Sequence, residues 1–353
     1  MERNAASDAP DGAVSRRRFL YGAGAVAGGF IAFGATACGS DSSPSTSNSG
    51  APSGVSGPGQ PTAINVGAIP PFAAVTWPLL VAAKEGYFAE AKVEPATTYT
   101  FGAAPLLAGG QVDLIHDGAD SGLNAALGGK DIIFVATIGM TATIGILGAK
   151  GVTQPKDFEG KIFAVSAIGS TDEFLVRRFL EAKGVDVTKV EFLGVEDEGG
   201  ALVQLQAGQI GGGKFTSGFM TKAGDLPVIA TPKDLGTFPW NVVQTTRSYA
   251  SGHGEALTAY LKALSRAVTF MGDTNNRAKV IEAVLSGDDT LERPFVEAIY
   301  DVELGQYKIF DFGSVSPADM QPGLDYLKFA GEDPSKLDLT KLLDSSFVDA
   351  AGK

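Results

Sequence analysis

Between Gly39 and Thr62 the chain has nothing from which to build a core. Seventeen of these 24 residues are Ser, Gly or Pro. Too little apolar surface is available there to offset the entropy of ordering, so the stretch reads as a flexible tether. A coil of that length has an r.m.s. span of roughly 25–30 Å. It divides the 353-residue chain into a short head and 291 residues, 63–353, that carry the fold and the function.

Head and body also differ in charge. Residues 1–37 hold Arg3, Arg16, Arg17 and Arg18 against Glu2, Asp8 and Asp11; without them the formal charge moves from −12 to −13. An acidic body with no Lys/Arg run argues against nucleic acid as a partner. A 44% hydrophobic fraction is too high for a disordered chain. The single cysteine excludes a disulfide framework and a cysteine-based zinc site. Two histidines, His116 and His253, leave little for His-centred catalysis. No Gly-x-Ser-x-Gly elbow or His-x-x-x-His pair is present. The expectation is a non-enzyme with no cofactor and no metal.

The head reads as an address. Ser15-Arg16-Arg17-Arg18-Phe19-Leu20 precedes a weakly apolar, Gly/Ala-rich stretch that ends at Ala35-Thr36-Ala37-Cys38. This is the pattern of a removable twin-arginine signal over 1–37, with Arg16 and Arg17 as its pair. Small residues before Cys38 resemble a bacterial lipobox, which makes Cys38 the lipidated residue. Ala35 stands where leucine is usual, so cleavage by an ordinary signal peptidase is the alternative. With 38–62 as linker, acyl chains would hold a soluble domain at the outer face of the cytoplasmic membrane.

In the body, short apolar runs beside turn residues predict buried strands at Ile64–Ala68, Gln111–Ile115, Asp131–Ala136 and Lys161–Val165. A helix is predicted over Pro78–Glu85. Apolar residues at helical spacing predict more over Glu255–Met271, Asn276–Leu285, Pro294–Leu304, Pro317–Phe329 and Thr340–Ala350. Alternating strands and helices indicate α/β architecture with a largely parallel sheet. Leu107-Ala108-Gly109-Gly110-Gln111-Val112-Asp113 recurs 98 residues later as Leu205-Gln206-Ala207-Gly208-Gln209-Ile210-Gly211. Each copy reads as a helix end, a glycine cap and a strand start, which suggests two similar lobes.

Several motifs occur in the order and spacing of one known group: Gly86-Tyr87-Phe88, Gly110-Gln111-Val112-Asp113, Phe158-Glu159-Gly160-Lys161, Gly169-Ser170-Thr171, Arg178-Phe179-Leu180 and Gly208-Gln209-Ile210. The chain resembles the nitrate/sulfonate/bicarbonate/taurine substrate-binding proteins of ABC transporters, a group that includes binders of the thiamine pyrimidine precursor. The resemblance spans 63–353. It implies a two-lobed periplasmic-binding-protein-like (type II) fold with two hinge strands, crossing near Gly151–Asp157 and Asn241–Thr246. Lobe 1 would be 63–156 with 241–353, and lobe 2 would be 157–240. Where the group usually continues its second Gly-Gln strand with aspartate and a Trp-Glu-Pro-like turn, this chain reads Gly211-Gly212-Gly213-Lys214-Phe215-Thr216-Ser217.

Ligands of open α/β sheets sit beyond the strands' carboxyl ends, where helix N-termini present free amides. Four such places can be read. After the first strand, Phe72 and Trp77 offer apolar walls or belong to the lobe core. After Leu114-Ile115, His116, Asp120 and Ser121 are candidates, against a core histidine and a plain helix cap. Ser170 and Thr171 precede a helix; Ser170 and Glu173 have capping-box spacing, which is compatible with offering hydroxyls and amides to a ligand. Thr216 and Ser217 end the glycine-rich stretch, whose Lys214-Phe215 does not fit a P-loop. Trp240 either stacks on a planar ligand or packs at the hinge.

The expected function is capture of a small organic or oxyanionic solute, of the sulfonate/nitrate/taurine class or a pyrimidine-like heterocycle. An ABC permease would be the partner and the protein a monomer. The alternatives are an enzyme on the same scaffold, resembling pyrimidine-precursor synthases, and a solute sensor without transport. Asp117 and Asp120 so near the expected cleft would repel a bare anion, which favours a neutral or amine-bearing solute.

Overall fold

The computed structural model describes residues 60–352, all within one compact unit, Gly50–Lys353. Arg16, Arg17, Cys38 and nearly all of the tether lie outside the described residues. In chain order the first elements are β1 (Thr62–Ala68), α1 (Trp77–Lys84), α2 (Tyr87–Glu90), β2 (Val93–Tyr99), α3 (Ala104–Ala108), β3 (Leu114–Asp117), α4 (Ala119–Leu127) and β4 (Ile133–Thr141). The middle of the chain forms β5 (Ile144–Gly148), β6 (Ile162–Val165), α5 (Thr171–Ala182), β7 (Glu191–Gly194), α6 (Glu198–Gln206), β8 (Gly212–Thr216), α7 (Ser217–Met220) and β9 (Val228–Ala230). Then follow β10 (Thr237–Thr245), α8 (Arg247–Gly272), α9 (Arg277–Gly287), α10 (Arg293–Ile299), a π-helical continuation (Tyr300–Tyr307), α11 (Pro317–Phe329), α12 (Leu339–Leu342) and α13 (Ser346–Ala351).

Two five-stranded sheets result, ordered β2-β1-β3-β10-β4 and β7-β6-β8-β5-β9. The orders are the same device used twice. Three parallel strands, 2-1-3 in one sheet and 7-6-8 in the other, are followed by an antiparallel strand that arrives from the opposite sheet. That strand is β10 in the first lobe and β5 in the second. The exchange gives the chain its two crossings, at Ala142–Thr143 and over 231–236. They differ from the expected 151–157 and 241–246, because β5 already pairs with β8 while all of β10 pairs with β4 or β3. The range 157–240 therefore omits β5 and takes in the first half of β10.

The repeated Leu-x-x-Gly-Gln sequence is a repeated helix stop. Gly110 (φ +68°) and Gly208 (φ +70°) adopt the left-handed conformation. The next N–H in each case, Gln111 and Gln209, donates five residues back, to Leu106 O and Gln204 O at 2.9 Å. This closes the helix end as a Schellman-type motif, and glycine adopts the conformation without a Cβ penalty. β3 starts at Leu114 rather than Gln111 because the motif uses Gln111 for that closure. The predicted helix at 340–350 is broken into α12 and α13 around Leu343, whose backbone bridges Phe134. α8 begins earlier than expected, at Arg247, capped by the Thr246 side chain, and bends where His253 leaves helical geometry (φ −133°).

One apolar core joins β1, β3, β4 and β10 to α1, α8, α9 and α10. A second joins the other sheet to α5 and α6 and also takes in Ala119, Leu123, Met320 and Leu327. α11 is thus shared: Phe174 of α5 packs on Tyr326 and Phe329 at ring-centroid distances of 6.0 and 5.6 Å. No helix among the described residues is long and apolar enough to cross a membrane.

Candidate functional site

The loops after β1, β2 and β3 in the first lobe and after β6, β7 and β8 in the second lie at the strands' carboxyl ends. The segments after β3 and β6 meet at a direct bond between the lobes: the hydroxyl of Thr171, first residue of α5, donates to Asp120 Oδ2 at 2.9 Å. Nearby, the Tyr326 hydroxyl donates to Gly169 O at 3.3 Å. Gly218 of α7 lies against Phe295 and Ile299 of α10.

On the first lobe, Asp117 ends β3, and its carboxylate accepts the N–H groups of Gly118 (2.8 Å) and Ala103 (3.1 Å). Burial, with Asp120's charge adding to it, pushes Asp117 up to about 6. Burial raises Asp120 too, countered by the Thr171 hydroxyl. Ser121 Oγ donates to Gly118 O at 3.0 Å and so tightens the first turn of α4. His116 is completely buried; Nε2 sits 2.8 Å from the Tyr260 hydroxyl and Nδ1 has no partner. Desolvation lowers its pKa to about 3, so the ring is neutral. It is a core histidine.

The structure places Trp77 in the lobe core too, fully buried with Nε1–H donated to Pro71 O at 2.8 Å, so it offers no surface to the cleft. The large apolar volume of an indole is most stable there, provided its N–H finds an acceptor. Phe72 is 43% exposed after β1 and lies beside Phe101 after β2, which is 66% exposed, with ring centroids 5.9 Å apart. Sequence reasoning missed Phe101, because its isolated position gives no periodic signal; only the parallel pairing of β1 and β2 brings it beside Phe72.

On the second lobe the polar groups are engaged with one another. Ser170 caps α5: its Oγ accepts from Glu173 N and donates to Ala167 O. The Glu173 carboxylate reaches past Ser170 to accept Gly169 N–H at 2.6 Å and pairs with Arg177 at 2.7 Å. Asp172 accepts both the N–H and the hydroxyl of Ser166, at 2.9 and 3.0 Å. Thr216 gives its N–H and its hydroxyl to Glu198, at 2.6 and 2.9 Å. Lys214 lies between Glu198 (3.5 Å) and Asp172 (3.9 Å). Glu198 was not anticipated from sequence, since a lone acid at a helix start reads as an ordinary first-turn carboxylate.

Ser217 is buried and donates to Thr143 O at 3.3 Å. Beside it lies Glu303 of the π-helical turn, 3% exposed, with Oε2 unpartnered. Burial raises Glu303 to about 8, partly countered by the Ser217 hydroxyl. At the hinge, Trp240 Nε1–H donates to Thr143 Oγ1 at 3.2 Å, and its ring meets Phe238 edge-on. The next residue, Asn241, is fully buried with neither side-chain polar atom partnered. No group of three or more His, Cys, Asp or Glu side chains is placed to hold a metal ion among the described residues.

Solved structures share this architecture at low identity. The periplasmic aliphatic sulphonate binding protein SsuA from Escherichia coli superposes with a TM-score of 0.68 at 17% identity, over 81% of this chain and 92% of that one. The alkanesulfonate-binding protein SsuA from Xanthomonas axonopodis pv. citri gives 0.60 at 18%, over 83% and 98%. The periplasmic nitrate-binding protein NrtA from Synechocystis PCC 6803 gives 0.61 at 14%, over 83% and 88%. These likenesses establish the two-lobed α/β fold of periplasmic binding proteins. No curated protein sequence matches the chain. A family model described as NMT1/THI5 like matches residues 74–278, more than half of the chain. The chain therefore belongs to the NMT1/THI5-like family, as its ordered Gly-centred motifs led one to expect.

Proposed function

We propose that this protein is an extracytoplasmic solute receptor: it captures a small molecule between its lobes and hands it to an ABC permease. The observation that carries the reading is the meeting of both sheets' carboxyl ends across one cleft, bridged by Thr171 and Asp120. Two hinge crossings let the lobes separate while each sheet stays intact. A solute that contacts both lobes in the closed form alone shifts the population toward closure, and no covalent step is needed. The twin-arginine head, lipidation at Cys38 and the tether over 38–62 complete the proposal; they would place a monomeric receptor on the outer face of the cytoplasmic membrane. The sulphonate and nitrate receptors with the same fold support the role.

The test is a thermal-shift screen of sulfonates, nitrate, taurine, pyrimidines and amines on the purified chain, followed by small-angle scattering with each hit. At least one compound raises the melting temperature and reduces the radius of gyration. A panel in which no compound does either would refute the reading.

A further inference from the structure

The two lobes build one turn from different residues, and the difference lies away from the cleft. Asp113 N–H donates to Asn65 O at 2.7 Å ahead of β3, and Gly211 N–H donates to Ile162 O at 2.9 Å ahead of β8. These are equivalent places in the repeated device. In the first lobe the pair is polar: Asp113 Oδ2 accepts the backbone N–H and the side-chain amide of Asn65, at 2.7 and 3.0 Å. The turn itself needs no carboxylate, because the second lobe forms it from an isoleucine and a glycine.

Asn65 and Asp113 line a cavity of about 1120 Å³, together with Asp131 ahead of β4 and Tyr249 and His253 of α8. The cavity lies at the amino ends of β3 and β4. Four residues at about 3.3 Å each put Asp113 about 13 Å from Asp117, at the other end of β3. Every lining residue belongs to the first lobe, and among the described residues no Lys or Arg lines it.

One group of this wall is unsatisfied. Tyr249 is 9% exposed, and its hydroxyl is buried with no hydrogen-bond partner among the described residues. Burial, with the charge of Asp113 adding to it, raises the phenol pKa, so the hydroxyl keeps its proton. The His253 ring stacks on Tyr249, with centroids 4.5 Å apart and planes within 13° of parallel. Asp131 accepts Ser248 N–H at 3.2 Å, which brings a second carboxylate beside the same turn of α8. Buried hydroxyls are rarely left unpaired unless something else satisfies them.

We propose that this cavity is a second ligand site, separate from the cleft, for a flat organic cation of the amidinium or guanidinium class. Asp113 and Asp131 complement the charge, and the N–H fork of such a cation matches a carboxylate. The Tyr249 hydroxyl accepts a further N–H. The Tyr249–His253 stack supplies an aromatic wall for a planar cation. Because one lobe makes the whole site, an occupant binds the open and closed forms equally and leaves their populations unchanged.

The experiment titrates benzamidine into the full chain by calorimetry at pH 8, with uncharged benzamide and anionic benzoate as probes of the same shape. Benzamidine is expected to bind at least tenfold more tightly than either, without changing the radius of gyration in small-angle scattering. His116 and His253 are the only histidines of the chain, so their imidazole NMR signals locate the probe in the unaltered protein. Benzamidine shifts the His253 signals and leaves those of His116, buried in β3, in place. Tyr249→Phe weakens benzamidine about tenfold without lowering the melting temperature, which the loss of a structural hydrogen bond would lower. Asp131→Asn keeps an acceptor for Ser248 and cuts the preference for benzamidine over benzamide at least tenfold. Benzamide or benzoate that binds as tightly as benzamidine overturns the proposal, as does benzamidine that fails to bind, contracts the protein or leaves the His253 signals unmoved. None of these results bears on the receptor reading, which is tested by solutes that close the lobes.

Discussion

Glu303 offers the sharpest test of how the lobes are held together. It reaches Ser217 from the π-helical turn, and its folded-state pKa is raised from 4.5 to about 8 by burial. Ser217 already donates its single hydroxyl hydrogen to Thr143 O. A protonated Glu303 can donate to Ser217 Oγ without competition, whereas an ionised one must compete with Thr143 for that hydrogen. Because the folded pKa lies above the unfolded one, the native state holds the proton more tightly between pH 4.5 and about 8. The stabilisation is complete below pH 4.5 and is lost as pH rises through that window. At about 1.4 kcal/mol per pH unit, the loss by pH 7 is roughly 3 kcal/mol, reaching about 5 kcal/mol above pH 8.

Glu303→Gln keeps the shape and the hydrogen bond but cannot ionise. Urea unfolding from pH 4 to 9, followed by fluorescence of Trp77 and Trp240, reads both proteins. The variant becomes progressively more stable than the wild type between pH 4.5 and 8, and the difference is flat on either side. Other titrating groups, such as His116 and Asp117, tilt both profiles equally and cancel in the difference. Parallel profiles for wild type and variant would show that Glu303 is ionised in the native protein and that the burial argument is wrong.

Other outcomes follow from the same geometry. His116 has a folded pKa lowered from 6.5 to about 3, so it stabilises the fold above pH 6.5 and loses that contribution as pH falls toward 3; His116→Gln should flatten the acid limb of the unfolding profile. Tyr260→Phe leaves His116 Nε2 without its partner and should cost about 1–3 kcal/mol in urea unfolding at pH 7. Ser170→Ala removes the cap of α5 and should cost about 1 kcal/mol, whereas no loss would mean the cap is replaced by water. Gly122→Ala would put a Cβ 1.9 Å from Gln244 Oε1 and 2.9 Å from the Phe134 ring. Overpacking of that kind costs about 1–3 kcal/mol, and an unchanged melting temperature would mean that Gln244 moves freely.

Much of the architecture was legible locally. The Ser170 cap, the glycine stops at Gly110 and Gly208, and the apolar runs of β1 and β6 each depend on residues a few positions apart, and such patterns are written along the chain. Asp131–Ala136 looked like a short strand, yet β4 extends to Thr141, because pairing with β10 continues through the polar and glycine-containing end of the hinge. Helix 340–350 had the right period and the wrong continuity, since the bridge between Leu343 and Phe134 interrupts it.

The candidate site divides along the same line. The sequence by itself determined which residues stand at strand ends and helix starts, because backbone hydrogen bonding fixes those within a turn. It also determined the excess of acid over base. Only the tertiary structure decided that Trp77 and His116 are core, that Phe101 joins Phe72, and that Thr171 meets Asp120 51 residues away. It alone placed Glu303 at Ser217 and turned Glu173 and Glu198 onto the N–H groups of Gly169 and Thr216. Burial and pairing across distant segments depend on how the two sheets close on each other, and no local spacing encodes that closure.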